Sequence, residues 1–363
     1  MRLLHIVPRV PPAVCGVGDY AWNLAGALEA HEGIPSALLS AGTTWTDPGP
    51  GTHHPCHRLP RPDAAALTAW LRTHTQPGDA LLLHLSPYGY QKRALPFWLA
   101  RAWERAACEL PHLRRATYFH ELFASGPPTT SAFWLQPLQK AVLRRIARVT
   151  GVRLTNREPY ARWLDLAAPA DAPTRVIPVF SNLGELAAPP PLVERAPEMV
   201  LFASANHSGT STPELVSRAA ESARRLGLTR LHVIGAKEPL PQGQAGMGIT
   251  THGYLTAEAA SELLSRCRAG YTAYTPAYLG KSGLFACFAS HGLAVVVESR
   301  EQELPDGLAH ERNLLAEAFL STAPSAERLQ TLASALHAWY QPHSVRATAA
   351  QVATLLRTPA LEP

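Results

Sequence analysis

The feature that most narrows the fold of this chain is an alternation, made twice, between short apolar runs and amphipathic stretches of helical period. The segment Ala80-Leu81-Leu82-Leu83-His84-Leu85 is almost unbroken apolar sequence, as a parallel strand covered on both faces requires. Residues 3–7 and 36–39 before it, and 116–119, 152–154 and 175–179 after it, read as further strands. Between them residues 20–28, 64–71, 93–108, 132–149 and 159–166 place apolar side chains at helical spacing. Strands alternating with helices in this way predict an α/β fold with a doubly wound parallel sheet.

The pattern stops at residues 186–198, LAAPPPLVERAPE, where three consecutive prolines favour an extended spacer. It then resumes, with strands expected at 199–203, 231–234, 270–273 and 293–297 and helices at 212–226, 257–267 and 283–291. The tail, 326–356, is helical in pattern and broken at Pro342. The expected division is therefore residues 1–185, a linker at 186–198, a second αβ domain at 199–340, and a final helix at 341–363 packing back on the first domain. Two αβ domains joined by one linker are expected to form a cleft.

Composition removes several function classes. Hydrophobic residues at 46% and charged residues at 17% describe a chain with enough apolar surface to fold. No run approaches the ~20 apolar residues of a membrane-spanning helix. The N-terminal apolar stretch is cut short by Pro8 and Arg9, too early for a signal peptide, so a cytoplasmic location is expected. Five cysteines, an odd number with no CxxC pair, suggest neither a disulfide framework nor a zinc site. Lys and Arg number 33 against 28 Asp and Glu, a net charge of +5. Only four of the 33 are Lys and no basic block exceeds two residues, so compositional bias explains the charge and nucleic acid is not an expected partner.

In open parallel sheets ligands collect beyond the carboxyl ends of the strands, so the loops there are the ones to read. Gly16, Gly18 and Ala21 formally satisfy GxGxxG/A, but eight residues separate Val7 from Gly16, whereas the dinucleotide fingerprint turns directly off its strand. The second strand also ends in Ser40-Ala41-Gly42, without the acidic residue that holds a ribose, which argues against a dehydrogenase. What remains is a long glycine-bearing loop before a helix. Gly16 and Gly18 either bring backbone N–H groups close to a phosphate or sugar, or form a turn of positive φ. In the second half, Tyr278-Leu279-Gly280-Lys281-Ser282-Gly283 follows a strand and opens a helix. Ser282 is placed to cap it and Lys281 adds a point charge where the helix dipole already favours an anion. The spacing is not that of a P-loop, since no glycine stands five positions before Gly280.

The segments PPAVCGVGDYAWNLAGAL, TYFHELF, VIPVFSNLGE and YLGKSGLFACFASHGLAVVV, in that order and over essentially the whole chain, resemble glycosyltransferases of the GT-B fold, particularly family four. The resemblance implies two Rossmann-like domains facing across a cleft, with C-terminal helices. It also implies a nucleotide-diphosphate sugar as donor co-substrate, no further cofactor, no obligatory metal, and a retaining outcome. The acceptor stays open between a glycan, a lipid-linked glycan met by peripheral membrane contact, and a small molecule. His120 follows the strand at 116–119, where the family commonly has a histidine facing the reacting sugar, and Glu121 beside it is the candidate for the acceptor proton. Gly16, Gly18, Asn206, His207, Ser208, Lys281, Ser282 and Gly283 are the candidate donor contacts, and Arg157 the candidate acceptor contact, with a surface ion pair as its alternative.

The chain also departs from the family. Two glutamates separated by seven residues usually flank this last helix, and the matching positions here are Leu279 and Cys287. The family's Arg and Lys after the first strand of the second domain are replaced by Ser204-Ala205-Asn206-His207-Ser208-Gly209-Thr210. A catalytically silent binding or scaffolding subunit is therefore the rival reading, and a sugar-nucleotide epimerase a third. His53, His54 and His57 near Cys56 read as loop histidines, with a metal site as the alternative, Ser181 and Asn182 as a hinge, and Tyr88, Phe133 and Trp134 as core aromatics, with stacking on a sugar or lipid acceptor as the alternative.

Overall fold

The computed structural model describes residues 1–49, 52–124, 126–203, 210–236, 240, 243–244, 246–320 and 323–358. The chain divides into two units, Met1–Pro178 with Val345–Pro363, and Val179–Ser344.

In the first unit the elements run β1 (Leu3–Val7), α1 (Gly16–Glu32), β2 (Ser36–Ser40), β3 (Cys56–Arg58), α2 (Ala64–His74), β4 (Ala80–Leu85) and α3 (Pro87–Tyr90). They continue through α4 (Phe97–Glu109), β5 (Arg114–Phe119), α5 (Ser131–Arg148), β6 (Val152–Thr155), α6 (Glu158–Ala167) and β7 (Arg175–Val176). The strands form one parallel sheet in the order β3-β2-β1-β4-β5-β6-β7. Because side chains alternate across a strand, Leu4, Ile6, Leu81, Leu83, Leu85 and Phe119 share one face and pack with Leu67, Trp103 and Leu143 from α2, α4 and α5. Val7 and Leu38 pack with Ala21 and Ala25 of α1. The last helix of the chain, numbered α11 (Val345–Arg357), lies along α1, with Arg357 Nη1 3.0 Å from Glu32 Oε2.

The second unit holds β8 (Ala196–Phe202), α7 (Thr212–Arg225), β9 (Arg230–Ile234), β10 (Gly243–Gln244), β11 (Met247–His252) and α8 (Ala257–Arg266). Then come β12 (Cys267–Thr272), α9 (Gly283–Ser290), β13 (Ala294–Val297), β14 (Leu315–Ala316) and α10 (Ala326–Tyr340). The order is β10-β11-β9-β8-β12-β13-β14, parallel except where β10 runs against β11. Met199, Leu201, Leu231, Val233 and Tyr271 form the core under α7 and α10. No helix among the described residues is long and apolar enough to cross a membrane.

Several expected boundaries move, each for a local reason. The helix expected from residue 93 begins at Phe97, because Pro96 precedes it and Arg93 and Ala94 have φ of 65° and 55°. The helix expected through residue 267 ends at Arg266, and Cys267 opens β12. The proline stretch is not a free spacer. Leu192 is buried and its N–H donates to Gln330 Oε1 at 2.7 Å, while buried Arg195 donates to the carbonyls of Pro190 and His291 at 2.7 and 2.9 Å. Prolines contribute carbonyls but no donors, and Arg195 satisfies those carbonyls against the second unit. β8 then starts at Ala196, inside the expected linker.

The seating of α9 on its sheet depends on one missing side chain. A Cβ at Gly270, in the middle of β12, would lie 2.8 Å from the Phe288 ring of α9. Gly270→Ala is expected to lower stability by about 1–3 kcal/mol through overpacking. Gly248→Ala, where the nearest atom would be 3.6 Å away, is the control and should change stability by less than about 1 kcal/mol. Denaturant midpoints of the two variants measure this, and equal midpoints would contradict it.

Candidate active site

β1 and β4 are neighbours, yet the chain leaves β1 for β2 on one side and β4 for β5 on the other. The loops beyond their carboxyl ends diverge, and this is where open αβ sheets take ligands. The loop after β1 is held down by its first carbonyl, since Pro8 O accepts from Gly42 N–H at 3.0 Å and from Ser40 Oγ at 3.2 Å. α1 begins at Gly16, four residues before the expected start, with Cys15 as its cap and Gly18 N–H donating to Cys15 Sγ at 3.4 Å. Neither Gly16 nor Gly18 has a positive φ, which removes the turn explanation for both. Gly18 is required by close approach, because a Cβ there would lie 2.3 Å from Arg9 O. A Cβ at Gly16 would meet nothing within 4 Å.

His120 stands immediately past β5, buried at 5% exposure. Its N–H donates to Leu85 O at 2.9 Å and its carbonyl accepts from Asn156 Nδ2 at 3.1 Å, so its backbone is fixed from β4 on one side and from the end of β6 on the other. Its ring stacks on Tyr118 with centroids 4.2 Å apart and meets the Tyr20 edge at 5.0 Å. Glu121 Oε2 accepts from Ser86 Oγ at 2.8 Å. Arg157 occupies the position before α6 without a side-chain cap bond and is buried at 5% exposure, its guanidinium carbon 4.8 Å from the centre of the Tyr160 ring. The alternative of a surface ion pair for Arg157 therefore fails. The parallel register of β5 and β6 brings His120, Glu121, Asn156 and Arg157 together, and Tyr20 links them to α1.

Three groups at this edge escape sequence reasoning. Asp19, in the first turn of α1, has its carboxyl pushed up to about 6 by burial. His84 and His5 lie behind His120, His84 Nδ1 being 3.1 Å from His120 Nε2 and His84 Nε2 3.0 Å from His5 Nδ1. The Gly-Asp pair at 18–19 was the available sign for Asp19, while nothing local marks the histidines as partners.

In the second unit the same reversal falls between β8 and β12. Asn206, His207 and Ser208, which follow β8, lie outside the described residues. Beyond β12, a 3-10 helix at Pro276–Lys281 precedes α9. Ser282 is buried and is the cap of α9, its Oγ accepting from Phe285 N–H at 3.2 Å. The amides of Gly283 and Leu284 precede the first intrahelical bond, Ala286 N–H to Ser282 O, and the helix dipole points the same way. Lys281 Nζ sits 5.3 Å from the centre of the Tyr278 ring. Asn182 flanks this end: a Cβ on Gly283 would lie 3.6 Å from its Nδ2, an ordinary contact, and its Oδ1 is buried without a hydrogen-bond partner among the described residues.

Ser181 is no loose hinge. Its N–H donates to Tyr340 Oη at 2.8 Å and its Oγ to Cys287 Sγ at 3.1 Å. Leu279 and Cys287, which stand where the family's glutamates are expected, are at 1% and 0% exposure, and burial pushes the Cys287 thiol up to about 11.

The histidines and aromatics set aside at the sequence level also move. His54 lies in the loop before β3, as expected, but is buried against Trp22 of α1 and lies 3.4 Å from Glu29, while His57 is part of β3. Tyr88, Phe133 and Trp134, expected in the core, are 51%, 43% and 69% exposed. Glu198, His232 and Cys267 place ligand-type atoms within 4.8 Å of one another. Arg230 lies 3.3 Å from Glu198, and Arg195 and Arg266 act on the Cys267 thiol, so the surrounding charge opposes a cation there. The contact seen is a hydrogen bond of 2.8 Å between His232 Nε2 and Glu198.

No family model and no curated protein matches the chain. Solved structures do share its fold. An alpha,alpha-trehalose-phosphate synthase (UDP-forming) from Burkholderia xenovorans, in complex with glucose-6-phosphate, superposes with a TM-score of 0.58 at 10% identity, covering 99% of this chain and 100% of that one. Sucrose-phosphate synthase from Thermosynechococcus elongatus gives 0.60 at 15% identity, with 98% of each chain covered. An alpha-glucosyltransferase in complex with UDP and a 13-mer DNA gives 0.57 at 10% identity, covering 99% of this chain and 100% of that one. At such identities the likeness establishes the fold, two Rossmann-like units of GT-B type followed by C-terminal helices.

Two predictions follow from the first unit. Gly18→Ala should destabilise by about 1–3 kcal/mol, since Arg9 O is backbone and cannot swing away, whereas Gly16→Ala should be neutral or slightly stabilising. Calorimetric unfolding of both variants checks this. The raised carboxyl of Asp19 means that the folded state holds its proton more tightly than the unfolded chain, so stability falls as pH rises from about 4 to about 6 and levels off above that. Asp19→Asn should therefore raise Tm near pH 7, with the gain vanishing below about pH 4, where both states are protonated. A pH-independent change in Tm would contradict this origin.

Proposed function

We propose that the protein transfers a sugar from a nucleoside-diphosphate donor to a hydroxyl-bearing acceptor. The observation that carries the reading is the pairing of the GT-B fold with a capped helix start at the β8/β12 reversal, where Ser282, the Gly283 and Leu284 amides and Lys281 suit a diphosphate. In the reaction the bond between the anomeric carbon and the diphosphate oxygen breaks, its electron pair leaving with the diphosphate. A bond from that carbon to the acceptor oxygen forms, and the acceptor's proton is taken up by a carboxylate or by the departing phosphate. The α9 dipole and the Lys281 charge stabilise the negative charge that develops on the leaving group. Retention of configuration and independence from an obligatory metal belong to this reading through the resemblance to family four.

The first unit supplies the groups that handle hydroxyls. His120 and Glu121 are the candidates nearest the chemistry, Arg157 a charged group at the same edge, and Asp19 a carboxyl that titrates near neutrality. The acceptor class stays open between a glycan, a lipid-linked glycan and a small molecule. The alpha-glucosyltransferase of the same fold is in complex with DNA, so the fold gives no argument against a nucleic-acid acceptor, and what speaks against one is the low Lys content and the lack of any basic block longer than two residues.

The rival, a silent binding subunit, has an observation of its own. Leu279 and Cys287 are packed into the interior, so the carboxylates expected there have been replaced by core.

Thermal unfolding against a panel of nucleoside diphosphates and their sugars tests the donor site. A ligand at ~100 times its dissociation constant should add about 2.7 kcal/mol, which for a chain of this size is a few degrees. Lys281→Ala should weaken the ligand that shifts Tm by roughly five- to tenfold, about 1–1.4 kcal/mol, and an unchanged dissociation constant would contradict the assignment. Binding without release of nucleoside diphosphate in the presence of any acceptor would favour the silent subunit.

A further inference from the structure

Three histidines on neighbouring strands form a file through the interior of the first unit. His5 Nδ1 on β1 is 3.0 Å from His84 Nε2 on β4, and His84 Nδ1 is 3.1 Å from Nε2 of His120 beyond β5. The sheet register builds the file. His5 stands opposite Leu82 and His84 opposite Tyr118, so each histidine lies two residues further along its strand than the one before and on the same face. The ring planes lie within 17° and 22° of parallel with centroids 5.2 and 5.4 Å apart, so the rings meet edge to edge, as in-plane N–H···N bonds require. Exposure is 0%, 0% and 5%.

Such a file has a direction. A neutral imidazole carries one proton, and His84 has an imidazole nitrogen against each of its own. Both bonds are therefore made only when all the protons point the same way. Burial pushes His5 down to about 3 and His84 well below the ordinary histidine value, with neighbouring histidines adding to the shift, so the inner rings are neutral near physiological pH. In one direction His5 Nδ1–H donates to His84, and His84 Nδ1–H donates to His120 Nε2. In the other direction His5 must carry its proton on Nε2. That atom is buried and has no hydrogen-bond partner among the described residues, and His54 is the other titratable group whose charge acts on it. An orphaned buried N–H is rarer and costlier than an orphaned lone pair, so the first direction wins.

We propose that the His5–His84 pair fixes His120 as the Nδ1–H tautomer, with Nε2 occupied as an acceptor. On the reading of the previous subsection, His120 then serves the reaction as a hydrogen-bond donor from Nδ1 to a sugar or acceptor oxygen. Proton acceptance falls to a carboxylate such as Glu121. His84 and His5 are positioning residues, acting through His120. The ring contacts from Tyr118 and Tyr20 hold its plane while the file sets its proton.

Ring-nitrogen NMR on protein labelled with 15N-histidine reads the tautomers directly at neutral pH. The expected result is a protonated Nδ1 and a bare Nε2 on all three rings. A proton on His120 Nε2, alone or with Nδ1, overturns the proposal. In His84→Phe, which keeps the ring and removes both nitrogens, His120 should redistribute toward Nε2–H. Turnover should fall at least tenfold while nucleoside-diphosphate affinity stays within twofold. In His84→Gln the side-chain amide both donates and accepts, and the Nδ1–H form should be retained. If His120 keeps its tautomer in His84→Phe, His84 does not set it and the proposal fails. Should His84→Phe not fold, the wild-type and His84→Gln spectra decide. Failure of the glycosyl-transfer reading appears separately, as absence of nucleotide-sugar binding or turnover, and leaves the ring spectra interpretable.

Discussion

Both sheets reverse direction at their first strand, and the rest of the molecule's chemistry hangs on that constraint. β1 has β2 on one side and β4 on the other, and β8 has β9 on one side and β12 on the other. Crossovers to either side keep their right-handed turn only by placing helices on opposite faces, which draws the loops at the reversal apart. His120, Gly18, Ser282 and Lys281 all stand at these carboxyl ends. The close approaches that give the site its shape are made where a side chain is missing, at Gly18 against Arg9 and at Gly270 under Phe288.

A parallel sheet buried on both faces leaves little room for charge, and the two units handle their polar interior differently. In the second unit His232 meets a carboxylate, Glu198, that itself meets Arg230. In the first unit the three histidines meet each other, with no carboxylate against His84 among the described residues, so burial holds the inner rings neutral. The result is a polar path whose hydrogen bonds depend on proton placement and not on ionisation. Asp19, at the start of α1, is a carboxyl that burial pushes up to about 6.

Much of this fold was legible in the sequence because parallel strands covered on both faces are unbroken apolar runs, as in residues 80–85. β3, β10 and β14 were not, being only two or three residues long, and of the strand expected at 175–179 only Arg175–Val176 pairs, as β7; β11 reads MGITTH, too polar to stand out from the glycine- and proline-rich sequence before it. Strand order was beyond reach because pairing is non-local. The cap at Ser282 was readable because a serine before a helical run carries its own mechanism. The cap at Cys15 was not, since cysteine is a poor cap and glycine at positions 16 and 18 masks the helix start. The histidine file depends on register across three strands, which no local pattern encodes. Arg157, read as an acceptor contact or a surface ion pair, is buried, while Trp134, read as core or as a stacking surface for an acceptor, is exposed, because burial is a property of the finished packing.

The claim on which the functional account turns is that the start of α9 receives a diphosphate. Hydrogen exchange of the full-length protein, with and without a saturating nucleoside diphosphate, measures it most directly, since amides that bind an anion are protected from solvent. The account predicts slowed exchange at Gly283 and Leu284, with β7 and the start of α5 unchanged as internal controls. Protection confined to other segments, or none at any ligand concentration, would contradict it.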